Sequence, residues 1–190
     1  MATPETSLFS LSSVWEVLTL FLIPIGGGIP AGVLLAKSRS LPWPLTALLY
    51  FISDVILACV FEPLMLLVIK LGKRSPKMAK FTEIFRQSVQ KTTSVYGSHL
   101  GPLALITIAF GVDPMTGRAA AAAAGHRFVM GWMFAIAGDM LYFGVIMAST
   151  LWLNNILGDG TWTMVIILIL MMVVPTLIRK TKEKFSSSKT

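Results

Sequence analysis

Ile106-Thr107-Ile108-Ala109-Phe110-Gly111-Val112-Asp113-Pro114-Met115-Thr116-Gly117-Arg118 is an apolar run broken by glycine and proline, and a long apolar stretch carrying Asp139 follows it. The same plan occurs earlier, where Phe21-Leu22-Ile23-Pro24-Ile25-Gly26-Gly27-Gly28-Ile29-Pro30-Ala31-Gly32 precedes a stretch carrying Asp54. One offset of 85 residue numbers (26 to 111) also brings Gly32 onto Gly117, Ala36 onto Ala121 and Asp54 onto Asp139. Pro30 and Pro114 miss that register by one residue. Glycine and proline weaken a helix interior by about 1 and 3 kcal/mol respectively, so each segment is expected to break and turn. The expected tips are Gly26, Gly28, Pro30 and Gly32 in the first segment, and Gly111, Pro114 and Gly117 in the second. Paired broken segments in the two halves of a membrane chain point to a transport site.

The composition fits a membrane chain. Of the 190 residues 55% are hydrophobic and only 13% charged, with a mean hydropathy of +0.76. So few charges could not cover the apolar surface of a soluble domain of this length. The apolar runs also approach the ~20 residues needed to cross a bilayer. The expected class is therefore an all-α polytopic membrane protein with one transmembrane domain over residues 1–190. That leaves no room for a soluble catalytic domain, and no enzyme activity is expected. Cys59 is the only cysteine; it excludes a disulfide framework and is read as a small hydrophobe packed between helices. Residues 1–13 carry Glu5 and no Lys or Arg, so no cleaved signal is expected.

The net charge of +7 does not point to nucleic acid, because of where it sits. It collects in residues 70–91 and 179–189, both beside apolar spans, which is the pattern of cytoplasmic loops. The organisation read from this is repeat 1 at about 14–70, a connector at 71–98, repeat 2 at about 99–153 and a C-terminal span at 161–178. In the connector Ser75-Pro76 suits a helix start, and Met78, Phe81, Phe85 and Val89 recur at helical spacing among Lys77, Lys80, Arg86 and Lys91. It reads as an amphipathic surface helix, the alternative being a solvated basic linker.

The charge rule then separates full spans from hairpins. If residues 99–124 crossed the membrane, the basic tail would lie outside. If they dip in and return, Arg127 and the tail both stay cytoplasmic. By the same logic the first broken segment dips in from the opposite face, giving an inverted repeat of re-entrant hairpin plus transmembrane helix. That arrangement puts Lys37 and Arg39 outside, and a simple first span with a cytoplasmic N-terminus is the alternative.

These motifs resemble known families. Gly28-Ile29-Pro30-Ala31-Gly32-Val33-Leu34-Leu35-Ala36 resembles the first signature of the small multidrug export protein family, and Phe61-Glu62-Pro63-Leu64 fits it too. Pro114-Met115-Thr116-Gly117-Arg118 resembles the second-hairpin turn of the related DedA-type membrane proteins. The chain differs from the first family in having Ile25 and Gly26 where Glu and Arg are common, and from the second in having Val33 where Glu is usual. The resemblance implies a two-hairpin transporter fold, lipid-carrier or export activity driven by proton-motive force, and a bacterial inner (plasma) membrane. The basic tail puts the C-terminus in the cytoplasm.

Ionisable groups in hydrocarbon cost about 2.5–3.5 kcal/mol or more each, so each needs a partner or a wet cavity. Asp54 and Asp139 are read as proton- or cation-coupling carboxylates facing the hairpin tips, or as structural acceptors for frayed hairpin amides. Asp113 and Arg118 bracket one turn. They form a salt bridge, or Arg118 and the turn amides bind an anionic group such as a phosphate. Glu62 pairs with Lys70 or Arg74, or lines a pathway. His126 marks a membrane boundary and His99 an interface, with no second ligand at metal spacing. Trp43, Trp132, Trp152 and Trp162 read as interfacial anchors, and residues 119–124 as an alanine face for close helix approach.

The expected function is a secondary transporter or lipid-carrier flippase, coupled to protons, with its substrate site between the hairpins near the bilayer midplane. The alternatives are a channel-like pore or a non-transporting accessory subunit. Expected partners are membrane lipids, an anionic lipid phosphate or small molecule, protons or another coupling ion, and a second copy in a homodimer. No cofactor and no metal are expected.

Overall fold

The computed structural model describes residues 11–23, 28–72, 87, 101–111 and 114–187. Within them the chain is all-helical: α1 Leu11–Leu22, α2 Gly28–Ser38, α3 Trp43–Gly72, α4 Pro102–Gly111, α5 Pro114–Ala123, α6 Phe128–Leu157 and α7 Gly160–Ser187. Two of these are long and apolar enough to cross a membrane, over Trp43–Leu64 and Phe128–Leu157. α7 carries an apolar stretch over Gly160–Val174 among the described residues, inside which most of the expected 161–178 span falls. Gly26, Asp113, His99 and all but a few residues of the 71–98 connector lie outside the described residues.

Local sequence explains where the helices start and stop. α5 opens on Pro114, whose missing N–H is no loss in a first turn. α7 opens behind Asp159, whose Oδ1 accepts from the Thr161 and Trp162 amides, an N-cap. The end of α2 is closed by the Leu41 amide donating to the Ala36 carbonyl and the Ser40 amide donating to that of Lys37. The end of α5 repeats this, His126 donating to Ala121 and Gly125 to Ala122. Both are Schellman ends, with the penultimate residue left-handed: Ser40 at φ 56° and Gly125 at φ 82°.

The two ends are related by the same offset of 85 that the sequence shows. So are the helices that follow, since Trp43 and Phe128 open α3 and α6, and Gly72 and Leu157 close them. A third matching bond, the amide of Thr46 to Pro42 O, recurs as Gly131 to Arg127 O. Three backbone hydrogen bonds and both helix boundaries thus recur at one offset.

The chain divides into two compact units. The first, Met1–Leu49 with Phe143–Thr190, contains α1, α2, the start of α3, the end of α6 and α7. Here α1 and α2 pack as an antiparallel pair around Gly32, where a Cβ would come within 2.7 Å of the Phe21 ring. Phe21 meets Phe143 edge to face at 5.7 Å, and Val17, Val33, Ala36 and Ile167 are buried alongside. Arg39 bonds Glu16 at 2.7 Å between the two limbs, on the surface. The second unit, Tyr50–Tyr142, contains the rest of α3, α4, α5 and the start of α6. Its helix pair α4–α5 closes around Gly117, where a Cβ would lie 2.7 Å from that of Ala109. Leu105 and Ile108 pack on Ala119, Ala120 and Ala121.

Both long helices are apolar outside and polar inside. On α3, Leu48, Phe51, Ile52, Val55 and Val60 are exposed, while Thr46, Ser53, Asp54 and Glu62 are buried. On α6, Val129, Met133, Leu141 and Val145 are exposed, and Asp139 and Thr150 buried. A soluble protein inverts that order. Cys59, read as packed between helices, instead lies on the exposed face, because residues 55, 56, 59 and 60 share the outward stripe of a 3.6-residue period.

A left-handed non-glycine residue costs roughly 1–3 kcal/mol. Ser40→Gly is expected to leave stability unchanged or raise it by up to about 1 kcal/mol, since the Cβ strain goes but unfolded-chain entropy rises. Gly125→Val should cost more than about 1 kcal/mol. Thermal unfolding of the detergent-solubilised protein checks both.

Candidate functional site

Among its described residues the second unit buries four acidic or basic side chains in two clusters. α3 supplies Asp54 and Glu62, α5 supplies Arg118 and α6 supplies Asp139. Each is 5–8% exposed, so each must be solvated by the protein itself.

The first cluster is a carboxyl pair. Asp54 lies close enough to Asp139 for the two carboxyls to interact. Ionised aspartates only accept hydrogen bonds and repel each other at short range, so a proton shared between them would relieve the contact. Asp139 Oδ2 also accepts from Tyr50 Oη at 2.8 Å. Tyr50 lies one helical turn before Asp54 on α3, on the same face. Ser53 Oγ, fully buried, is turned away and donates to the Tyr50 carbonyl at 2.6 Å. Asp54 Oδ2 is buried and has no hydrogen-bond partner among the described residues.

Gly138, one residue before Asp139, marks where α6 meets α4. A Cβ at 138 would lie 2.6 Å from Ala109 Cβ and 2.9 Å from the Phe110 amide nitrogen. α6 therefore presses directly on the last turn of α4, one residue before the carboxylate, and Phe110 meets Tyr142 edge to face just beyond.

The second cluster is an ion pair. Arg118 donates from Nη2 to Glu62 Oε1 at 2.7 Å and from Nε to Oε2 at 3.1 Å. Trp132 Nε1 adds a third donor to Oε2 at 2.9 Å. The two-pronged geometry is the strong form of an arginine–carboxylate contact. Gly131 makes room for the arginine, since a Cβ there would lie 3.2 Å from Arg118 Cδ and 3.1 Å from Nη1. Nη1 itself has no hydrogen-bond partner among the described residues. Pro63 follows Glu62 inside α3 and removes one backbone bond of the helix there.

These contacts revise several sequence expectations. Glu62 pairs with Arg118 across 56 residues of chain, a distance no local pattern reveals; the Lys70 side chain and Arg74, its expected partners, lie outside what the structure describes. Trp132 is not an interfacial anchor: it is 7% exposed and bonded to Glu62, whereas Trp43, Trp152 and Trp162 are exposed. His126 closes the Schellman end of α5 and meets Phe134 edge to face. Tyr50, Gly131, Gly138 and Trp132 were not singled out as site residues. Only Tyr50 had a signal, its four-residue spacing from Asp54 on one helix face.

No group of three or more His, Cys, Asp or Glu side chains that could hold a metal occurs among the described residues. Compared with models of known protein families, with curated proteins and with solved structures, the chain matches none of them.

Removing one member of a buried ion pair strands the other and costs about 3–5 kcal/mol. Glu62→Gln should therefore destabilise the protein on that scale. Trp132→Phe, which deletes one hydrogen bond to a charged group, should cost about 1.5–3 kcal/mol. Glu62→Gln combined with Arg118→Met should recover part of the loss. Unfolding midpoints in detergent measure the series, and a cost below about 1 kcal/mol for Glu62→Gln would contradict the ion-pair account.

Proposed function

We propose that the chain is a secondary membrane transporter or lipid-carrier flippase that couples movement of an anionic substrate to protons through Asp54 and Asp139. The observation that carries this reading is the closeness of those two buried carboxyls. Such a pair is suited to sharing one proton and exchanging it when the site opens to water, and Asp54 Oδ2 has no hydrogen-bond partner among the described residues. Intramembrane acids in such settings commonly serve as proton relays. Tyr50 orients Asp139 throughout the exchange.

The helix lengths support two re-entrant hairpins. α1, α2, α4 and α5 have 12, 11, 10 and 10 residues, or about 15–18 Å each at 1.5 Å per residue. That is roughly half of the ~30 Å hydrocarbon core, as limbs that enter and return would need. The recurrence of Schellman end and following helix at one offset favours a repeat, and the charge rule argues for its inversion. α7 serves as the additional C-terminal span. Glu62, Arg118 and Trp132 hold α3, α5 and α6 together beside the carboxyl pair, and the spare Nη1 donor gives an anionic group, such as a lipid phosphate, a point of attachment.

The test uses protein reconstituted in liposomes with fluorescently labelled phosphatidylglycerol as the probe, and inward movement followed by dithionite quenching. An imposed proton gradient should accelerate movement several-fold in the native protein. Asp139→Asn should abolish the acceleration while the protein still inserts and unfolds at a similar temperature. Movement indifferent to the gradient would overturn the coupled reading in favour of a pore.

A further inference from the structure

The offset of 85 relates more than helix ends. In the second unit, Arg118, Gly131 and Glu62 meet in the buried ion pair. Their counterparts by number are Val33, Thr46 and Met147, which belong to the first unit. All three line a cavity of about 190 Å³. The position that one unit fills with an arginine and a glutamate is, in the other, an open volume walled by a valine and a methionine.

The rest of its wall has a definite chemistry. Leu41 and Leu151 add apolar surface, while Lys37 and Ser40 add polar groups at one side. Lys37 Nζ donates to Asn155 Oδ1 at 2.6 Å. The amide is neutral, and no salt bridge joins Lys37 to a carboxylate among the described residues. The nearby Arg39 is already paired with Glu16, so Lys37 keeps the uncompensated charge. Trp43, also in the wall, is 66% exposed and opens a helix long enough to cross a bilayer. An exposed tryptophan at that position belongs at the level of lipid headgroups.

Volume narrows the occupant. Drug-sized ligands need pockets of roughly 300–1,000 Å³, whereas a cavity of about 150 Å³ takes a molecule the size of benzene. A cavity of about 190 Å³ therefore accepts a headgroup with the first few carbons attached, and the remainder of the ligand must stay outside.

We propose that this cavity seats one bilayer phospholipid with an anionic headgroup. The phosphate sits on Lys37 and Ser40, the glycerol and first methylenes lie against Val33, Leu41, Met147 and Leu151, and the chains continue into the membrane. The site is separate from the carboxyl pair and does not require that pair to carry protons.

Native mass spectrometry of the protein released from mixed micelles tests it, using phosphatidylglycerol and phosphatidylcholine at equal concentration. The native protein should retain phosphatidylglycerol about ten-fold over phosphatidylcholine. Lys37→Gln should remove most of that preference and Lys37→Arg should keep it. Val33→Phe, which fills the cavity, should lower retention of phosphatidylglycerol several-fold without changing net charge. Asp139→Asn should retain lipid as the native protein does, so failure of the proton-coupling reading would be visible separately. Equal retention of the two lipids, or undiminished preference in both Lys37→Gln and Val33→Phe, overturns the proposal. Displacement by free glycerol phosphate at the same concentration as the lipid would also overturn it, by showing that the headgroup alone binds.

Discussion

A carboxylate placed among apolar side chains has to find its solvation within the protein. That requirement organises the unit formed by Tyr50–Tyr142. Glu62 meets it with three donors from two other helices, and the resulting clamp fixes how α3, α5 and α6 approach one another. Asp54 and Asp139 meet it differently, by facing each other with a tyrosine hydroxyl at one edge. One arrangement is electrically complete and geometrically closed. The other retains an oxygen without a partner among the described residues. The closed clamp and the open pair lie a short distance apart along α3.

Glycine makes both arrangements reachable. At 32 and 117 its missing side chain lets paired helices close, at 131 it admits the arginine, and at 138 it brings α6 against α4. A methyl group at any of these positions would meet atoms nearer than ordinary packing allows. The buried alanines 119–121 extend the same close approach along α5.

How much of this was legible follows from the range of each interaction. The breaks at glycine and proline, the two long spans and the offset between the halves are local or periodic, and the sequence displays them. Asp54 and Asp139 could be selected because an acid within an apolar run is costly wherever it lands. That they would come together could not be read, since it depends on how two helices 85 residues apart rotate about their axes. Glu62 and Arg118 were both noticed but not joined to each other, because charge pairing was sought along the chain and the fold made this one across 56 residues. Trp132 misled for a related reason: its place near the start of a span suggested an interface, and only the facing glutamate drew its indole inward.

The lone thiol of Cys59 ends up on the outward face of α3, three residues from Glu62. A chain with a single cysteine so placed arrives with its own reporter. Alkylating dyes partitioned into detergent or lipid would tag one known point, leaving the sequence unaltered and the acids untouched. Spectroscopy on that tag would then register rearrangements of the helix that carries Asp54 and Glu62, from its exposed side.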